Sequence, residues 1–189
     1  MKTKNVYIIA GPNGSGKTTF AKELIKELNL PFVNADEIAL EMSPEDLTKA
    51  RLKAGKAFFG RIDKYIQGNK SFVVETTLAG RYWINLLRRL RRKKYRIALT
   101  FIFVESVQEA VRRIDIRVKK GGHSVPVEDI KRRFKRSLAN FWNIYRKEAD
   151  HWEVFLNSKD EFLQVAAGSG QDAEIIDEKN FNLLKGAKA

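Results

Sequence analysis

The chain has 189 residues, 43% of them hydrophobic, which reads as one domain with a substantial core and room for a small insertion. Cysteine is absent, so a disulfide framework or a cysteine metal site is excluded and a reducing cytoplasm is expected; no apolar run reaches the roughly 18 residues that a membrane span needs. The net charge of +13 favours polyanionic partners, either nucleic acid, nucleotides or an acidic protein, while a solvated helix face and a phosphate site would also account for part of it.

The first apolar run, Val6 to Ala10, is rich in β-branched residues and reads as a buried parallel strand, not as a signal peptide. It leads into Gly11-Pro12-Asn13-Gly14-Ser15-Gly16-Lys17-Thr18-Thr19, which has the spacing of a P-loop. From Gly16 the pattern turns helical, with Phe20, Leu24, Ile25 and Leu28 on one face. Strand, glycine-rich loop and helix in that order have a chemical use. The glycines let several backbone N–H groups converge on one phosphate chain, and the helix N-terminus adds its dipole. Lys17 reaches the β- and γ-phosphates, and the Thr18 hydroxyl can bind the Mg²⁺ that bridges them. The expected ligands are therefore a nucleoside triphosphate, ATP, and Mg²⁺.

Phe32 to Asn34 reads as a short strand ending at Asp36. Ligands in an open α/β sheet sit beyond the carboxyl ends of the strands. Asp36 is thus either a base that takes a proton from an attacking hydroxyl or simply the cap of the next helix. A helix is expected over Ser43 to Gln67, with Pro44 near its first position and Leu47, Ala54, Phe58, Ile62 and Ile66 inward. Gly68-Asn69 is a turn, and Ser71 to Glu75 is another buried strand. Glu75, Thr76 and Thr77 at its end, with Arg81 in the following loop, suit a polar, hydroxyl-rich substrate; a strand-end cap is the plainer alternative.

Trp83 to Leu90 predicts a helix that runs into Arg88, Arg89, Arg91, Arg92, Lys93 and Lys94. Cations also complement a helix C-terminus, and no aromatics are interleaved here, so a solvated helix end is favoured over a nucleic-acid surface. Tyr95 to Glu105 is a strongly apolar strand. A helix over about 107–118, the loop Lys119 to Pro126 with Gly121-Gly122, and a second helix from Val127 to about Lys147 follow. Ile130, Phe134, Leu138, Phe141 and Tyr145 share a face of that second helix. The segment 107–147 has the charge and the glycine hinge of a lid that brings cations onto a γ-phosphate, although a solvated basic helix pair would look similar. His123 lacks a second ligand at metal spacing and reads as a loop hydrogen-bonder. The remainder predicts strands at His151 to Asn157 and Phe162 to Ala166 joined at Ser158-Lys159-Asp160, an edge strand at Glu174 to Ile176, and a short helix from Phe181.

The P-loop with Asn13, the segments NADEIA and VVETTLAGR, and RVKKGGHSVP followed by IKRRFKRSLAN together resemble the zeta-toxin-like P-loop kinases over about 6–158. The resemblance implies an ATP-dependent kinase that phosphorylates the 3′-hydroxyl of the amino sugar in UDP-N-acetylglucosamine, and for some members an antitoxin protein as partner. It implies Lys17 and Thr18 at the phosphate and Mg²⁺, Asp36 as catalytic base, and Glu75 on the sugar. Arg117 and Arg133 would steady the transferring phosphate, with Arg113, Arg132 and Arg136 as rivals. The expected architecture is a doubly wound, largely parallel α/β sheet in one P-loop kinase domain over 1–189 with a helical lid. A polynucleotide 5′-hydroxyl kinase and a non-catalytic, ATP-gated nucleic-acid-binding module are the alternatives. The small-molecule acceptor is preferred over nucleic acid, no membrane partner is expected, and an acidic antitoxin fits the charge.

Overall fold

The computed structural model describes residues 3–42, 47–122, 124–159 and 161–186. The expectations for Ser43, Pro44, His123 and Asp160 lie outside the described residues. In chain order the elements are β1 (Lys4–Ala10), α1 (Lys17–Leu28), β2 (Phe32–Val33), α2 (Ala35–Met42), α3 (Leu47–Gln67), β3 (Phe72–Thr76), α4 (Trp83–Arg92) and β4 (Tyr95–Phe103). Then follow α5 (Val107–Lys119), α6 (Val127–Asn143), a 3₁₀ turn (Tyr145–Glu148), β5 (His151–Ser158), β6 (Glu161–Ser169), β7 (Asp172–Ile175) and α7 (Glu178–Gly186).

The strands form one seven-stranded sheet in the order β2-β3-β1-β4-β5-β6-β7. β1 through β5 pair in parallel, and β6 and β7 extend the sheet antiparallel. β1 lies between β3 and β4 with both faces covered. That is why it is an unbroken apolar run: Val6, Ile8 and Ala10 join one core, while Ile9 joins the other beneath α1. The larger core takes the inward stripes of α3 (Ala54, Phe58, Ile62, Ile66) and α6 (Ile130, Phe134, Leu138, Phe141). Phe141 stacks on Phe101 at 4.3 Å and meets Trp152 edge-on at 6.0 Å.

Several boundaries differ from the sequence reading, three of them with a local cause. Residues 35–42 form a separate helix, so Asp36 sits in a first helical turn and not in a strand-end loop. β4 stops at Phe103 because Ser106 caps α5, its hydroxyl accepting the Glu109 N–H at 3.1 Å. α6 ends at Asn143 because Ile144 leaves helical geometry (φ −122°, ψ −64°), which turns the side chains of Tyr145 and Arg146 into the protein. Arg146 stacks on Trp142 at 4.2 Å and donates to the carbonyls of Trp142, Gly170 and Gln171. Among the described residues no helix is long and apolar enough to cross a membrane. At the basic end of α4, Arg88 and Arg91 approach Glu148 at 3.9 and 3.7 Å, and Arg89 bonds Asp63 at 2.6 Å.

Candidate active site

Ala10 pairs with Thr76 on one side and Phe101 on the other, so the P-loop leaves the sheet level with the carboxyl ends of both neighbours. The loop is wedged tightly. A Cβ on Gly11 would lie 1.9 Å from the Ile102 carbonyl oxygen, and Gly16, at φ +91°, leaves room for the Asn157 amide. Gly16 begins α1 without any side-chain cap, so the first-turn N–H groups stay available to an anion. Ser15 is fully buried in the same loop with its hydroxyl unpartnered.

Lys17, the next residue, is 7% exposed and points its amine back to the Pro12 carbonyl at 2.8 Å, with Glu75 at 3.9 Å. Burial lowers its pKa, an effect opposed by the carboxylates of Glu75 and Asp36. Burial raises the pKa of Glu75, against the pull of Lys17 and the Thr18 hydroxyl. The Thr18 hydroxyl donates to Glu75 Oε2 at 2.9 Å, and the Asn34 amide donates to the same oxygen at 2.8 Å. Asn34 has a second task. Its Oδ1 accepts the N–H groups of Asp36 (2.8 Å) and Glu37 (3.4 Å), which caps α2. An amide can donate to Glu75 and cap the helix at once; an aspartate here would set a second carboxylate against Glu75. The first-turn N–H groups thus go to Asn34, not to the Asp36 carboxylate.

Asp36, Lys17, Thr18, Glu75, Thr76 and Thr77 all line one cleft of about 790 Å³, together with Asn13, Gly14, Gly16 and Thr19. Arg113 and Arg117 on α5, Lys120 just after it and Arg133 on α6 line its wall. Arg113 is fixed by Glu109 at 2.7 Å and by the Asn157 carbonyl at 3.2 Å. The hydrogen bond from Arg112, with help from Arg113, holds the Glu109 carboxyl down at about 2. Arg133 leans toward Asp129 at 3.4 Å. Arg132 pairs with the same Asp129 at 2.8 Å, and neither it nor the exposed Arg136 lines the cleft. Arg81, expected at the substrate, is exposed and also stands outside the lining. Its neighbour Tyr82 takes that place, because α4 begins one residue later at Trp83 and turns the Trp83 ring inward.

Among the contributors that sequence reasoning missed are Asn34, Asn157 and the rings of Phe59 and Tyr82. Asn157 donates to the Ser15 carbonyl at 3.0 Å from 142 residues away, a separation that no local pattern encodes. Asn34 stood inside a segment already singled out, and its position three residues before Glu37 was a readable cap signal.

A protein-family model described as an AAA domain matches residues 6–141. An uncharacterised protein of Haemophilus influenzae is 28% identical over 134 residues, which is 71% of this chain and 94% of that protein. The AvrRxo1-ORF1:-ORF2 complex with ATP is structurally similar with a TM-score of 0.78 at 14% identity, over 99% of this chain; the chain spans 65% of that one. The PezAT chromosomal toxin-antitoxin system of Streptococcus pneumoniae gives a TM-score of 0.62 at 12% identity, over 99% of this chain and 86% of the other. At these identities the structural likeness shows a shared fold, a mostly parallel α/β sheet with the P-loop after its first strand.

Proposed function

Because the chain belongs to the AAA domain family, its match covering residues 6–141, we propose that it transfers the γ-phosphoryl group of ATP to a hydroxyl of a small acceptor. A UDP-amino sugar such as UDP-N-acetylglucosamine is the acceptor to test first, on the resemblance of its motifs to the zeta-toxin-like kinases. The observation that carries this reading is that Asp36 and Lys17 line the same cleft while Asn34 does the capping of α2. A carboxylate facing the phosphate cradle is what alcohol phosphorylation needs and what nucleotide binding alone does not.

In the proposed step the acceptor O–H gives its proton to the Asp36 carboxylate as its oxygen bonds to the γ-phosphorus. The bond from that phosphorus to the β–γ bridging oxygen breaks, and ADP leaves with the electron pair. Lys17 moves from the Pro12 carbonyl to the phosphates, where its charge is most useful in a site of low dielectric. Arg113, Arg117 and Arg133 converge from the lid on the charge that develops there. Thr18 and Glu75 are the residues that would hold Mg²⁺, a hydroxyl and a carboxylate completing the phosphate oxygens and waters such an ion prefers. When bound, Mg²⁺ neutralises charge on the β- and γ-phosphates. The hydrogen bonds of Glu75 to Thr18 and Asn34 support a role at this phosphate end over the sugar contact expected from the resemblance. β3 sets Glu75 opposite Ile9, one residue short of where the P-loop departs.

The test is Asp36→Asn. Loss of a general base costs about 10²–10⁴ in rate, so kcat should fall by that factor while the ATP dissociation constant barely moves. Near-normal turnover would remove Asp36 from the mechanism. A protein partner is a further proposal: the charge of +13 favours an acidic one, and a toxin-antitoxin system is among the structural neighbours.

A further inference from the structure

Arg113 on α5 is anchored from two sides. Its Nε donates to Glu109 Oε1 at 2.7 Å, and its Nη2 donates to the Asn157 carbonyl at 3.2 Å. Ser106 and Glu109 have the spacing of a capping box, in which the glutamate reaches back to the cap. Here the Glu109 oxygens accept from Arg112 and Arg113. Asn157 holds the arginine and the phosphate loop at once, since its side-chain amide donates to the Ser15 carbonyl at 3.0 Å. The loop also abuts α5 directly: a Cβ on Gly14, at φ +79°, would lie 2.7 Å from the Ala110 carbonyl oxygen. The Arg113 side chain is 16% exposed. That of Arg133 is 34% exposed and lies 3.4 Å from Asp129, a carboxylate that Arg132 engages at 2.8 Å. Of these two cleft arginines, Arg113 is the one that protein groups hold closely in place.

We propose that Glu109 is a positioning residue: with the Asn157 carbonyl it fixes the Arg113 guanidinium beside the phosphate loop, so that one arginine is in place before the reacting phosphate arrives. The inference rests on the kinase reading for what Arg113 then does. Two of its N–H groups are committed to the anchors. The planar fork leaves the others for an anion in the cleft that Arg113 lines. A long arginine side chain loses rotamer freedom when it is fixed, and Glu109 shifts that cost from the reaction to folding. Its charge has a second effect. Lys17, Arg117, Lys120 and Arg133 line the same cleft, and a carboxylate on Arg113 offsets part of the repulsion among these cations. Removing Glu109 therefore makes the cleft more positive while it frees the arginine. Turnover should fall with no weakening of ATP binding, a split that general damage to the site does not produce.

The experiment is a double-mutant cycle on the full chain, read in the hydrolysis of labelled ATP. Water is the acceptor there, so the cycle does not depend on which alcohol the protein uses. A misplacement of about 1 Å costs on the order of 10²-fold, so Glu109→Ala should lower kcat by about that factor, with the KM for ATP unchanged or lower. In an Arg113→Ala background the same substitution should change kcat by less than about twofold, since the group it acts through is gone. Glu109→Gln keeps an oxygen for Arg113 and should recover part of the loss. Arg112→Ala removes the other arginine on Glu109 and should leave kcat near that of the wild type. The second readout needs no turnover: the NMR resonance of the Arg113 Nε–H, identified by its loss in Arg113→Lys. Without nucleotide it should exchange with solvent more slowly than that of the exposed Arg136, and Glu109→Ala should remove the protection. Equal losses of kcat in both backgrounds, a kcat unmoved by Glu109→Ala, or an unprotected Arg113 Nε–H each overturn the proposal. The two readings fail separately. A protected Nε–H with neither hydrolysis nor transfer to any acceptor keeps the anchored arginine and sinks the kinase. Turnover with an unprotected Nε–H sinks the anchored arginine and keeps the kinase.

Discussion

Glu75 is a carboxylate held where its charge is resisted. Burial is the main cause of its raised pKa, and a lysine at 3.9 Å with two hydrogen-bond donors does not fully offset it. This has a definite sign for stability. The folded pKa lies above the ordinary 4.5, so the native state holds this proton longer than the unfolded chain. The contribution is fully present below that ordinary value and is lost as pH rises through the raised one. Glu75→Gln keeps an acceptor for Thr18 and Asn34 and removes the titration. Thermal melts without nucleotide should therefore show the variant gaining on the wild type as pH goes from about 4 to about 7. A difference that is flat across that range would mean that Glu75 is solvated in the resting protein. Lys17 and Thr18 were legible in the sequence because a local spacing encodes them. The pairing of Thr18 with Glu75 was not, because it is made by the register of β1 on β3, 57 residues apart.

At the scale of elements, α6 and the turn after it are tied to the loop that follows β3. The carbonyls of Thr77, Leu78, Ala79 and Gly80 all accept from α6 and the turn after it: Ser137 bonds Thr77, Asn140 bonds Leu78 at 2.9 Å and Ala79 at 3.1 Å, and Tyr145 bonds Gly80. Burial, aided by the nearby Tyr82 phenol, pushes the Tyr145 hydroxyl up to about 12, so it remains a donor. The loop needs such a clamp, since Leu78 is buried with φ +52°, a left-handed conformation that costs a leucine energy. The N-terminal half of α6 carries Arg133 to the wall of the cleft while its C-terminal half anchors the loop that carries Thr77 and leads to Tyr82. Asn140→Leu leaves two carbonyls without their side-chain donor and should cost about 1–3 kcal/mol in urea unfolding. In kinetics it should raise the acceptor KM more than the ATP KM; equal changes in both would uncouple the loop from acceptor binding. Periodicity exposed the apolar stripe of α6 and thereby its existence. It could not distinguish Ser137 and Asn140 from ordinary polar residues beside that stripe, because their partners lie 60 or more residues away.

For the whole molecule, the parallel half of the sheet was legible because β1, β3 and β4 are buried on both faces and leave continuous apolar runs. α2 was less so, since the sequence reading began its helix only at Ser43 and took Phe32 to Asp36 as a strand and its end. The cleft was legible only from its phosphate end, where glycine spacing is dictated by the ligand; the far end is assembled from α3 and the loop before α4, which share no motif. That asymmetry gives a test of the molecule as a unit. A ligand that binds only the folded chain stabilises it by mass action, about 2.7 kcal/mol at a hundredfold excess over its dissociation constant. For a chain of 189 residues each kcal/mol moves the melting temperature by about 2–4 °C, so a non-hydrolysable ATP analogue with Mg²⁺ should raise it by about 5–11 °C. The shift should shrink as salt rises, because Arg113, Arg117 and Arg133 in the cleft wall would meet the phosphates through partly exposed charges. Lys17→Met should abolish most of the shift, and without ligand it should melt lower than the wild type, since it leaves the buried Glu75 without its nearby cation and the Pro12 carbonyl without its donor. If the ligand-induced shift survived the substitution, Lys17 would be a structural partner of Glu75 and not a phosphate ligand. If the wild type showed no shift at all, the glycine cradle would be a fold element and not a nucleotide site.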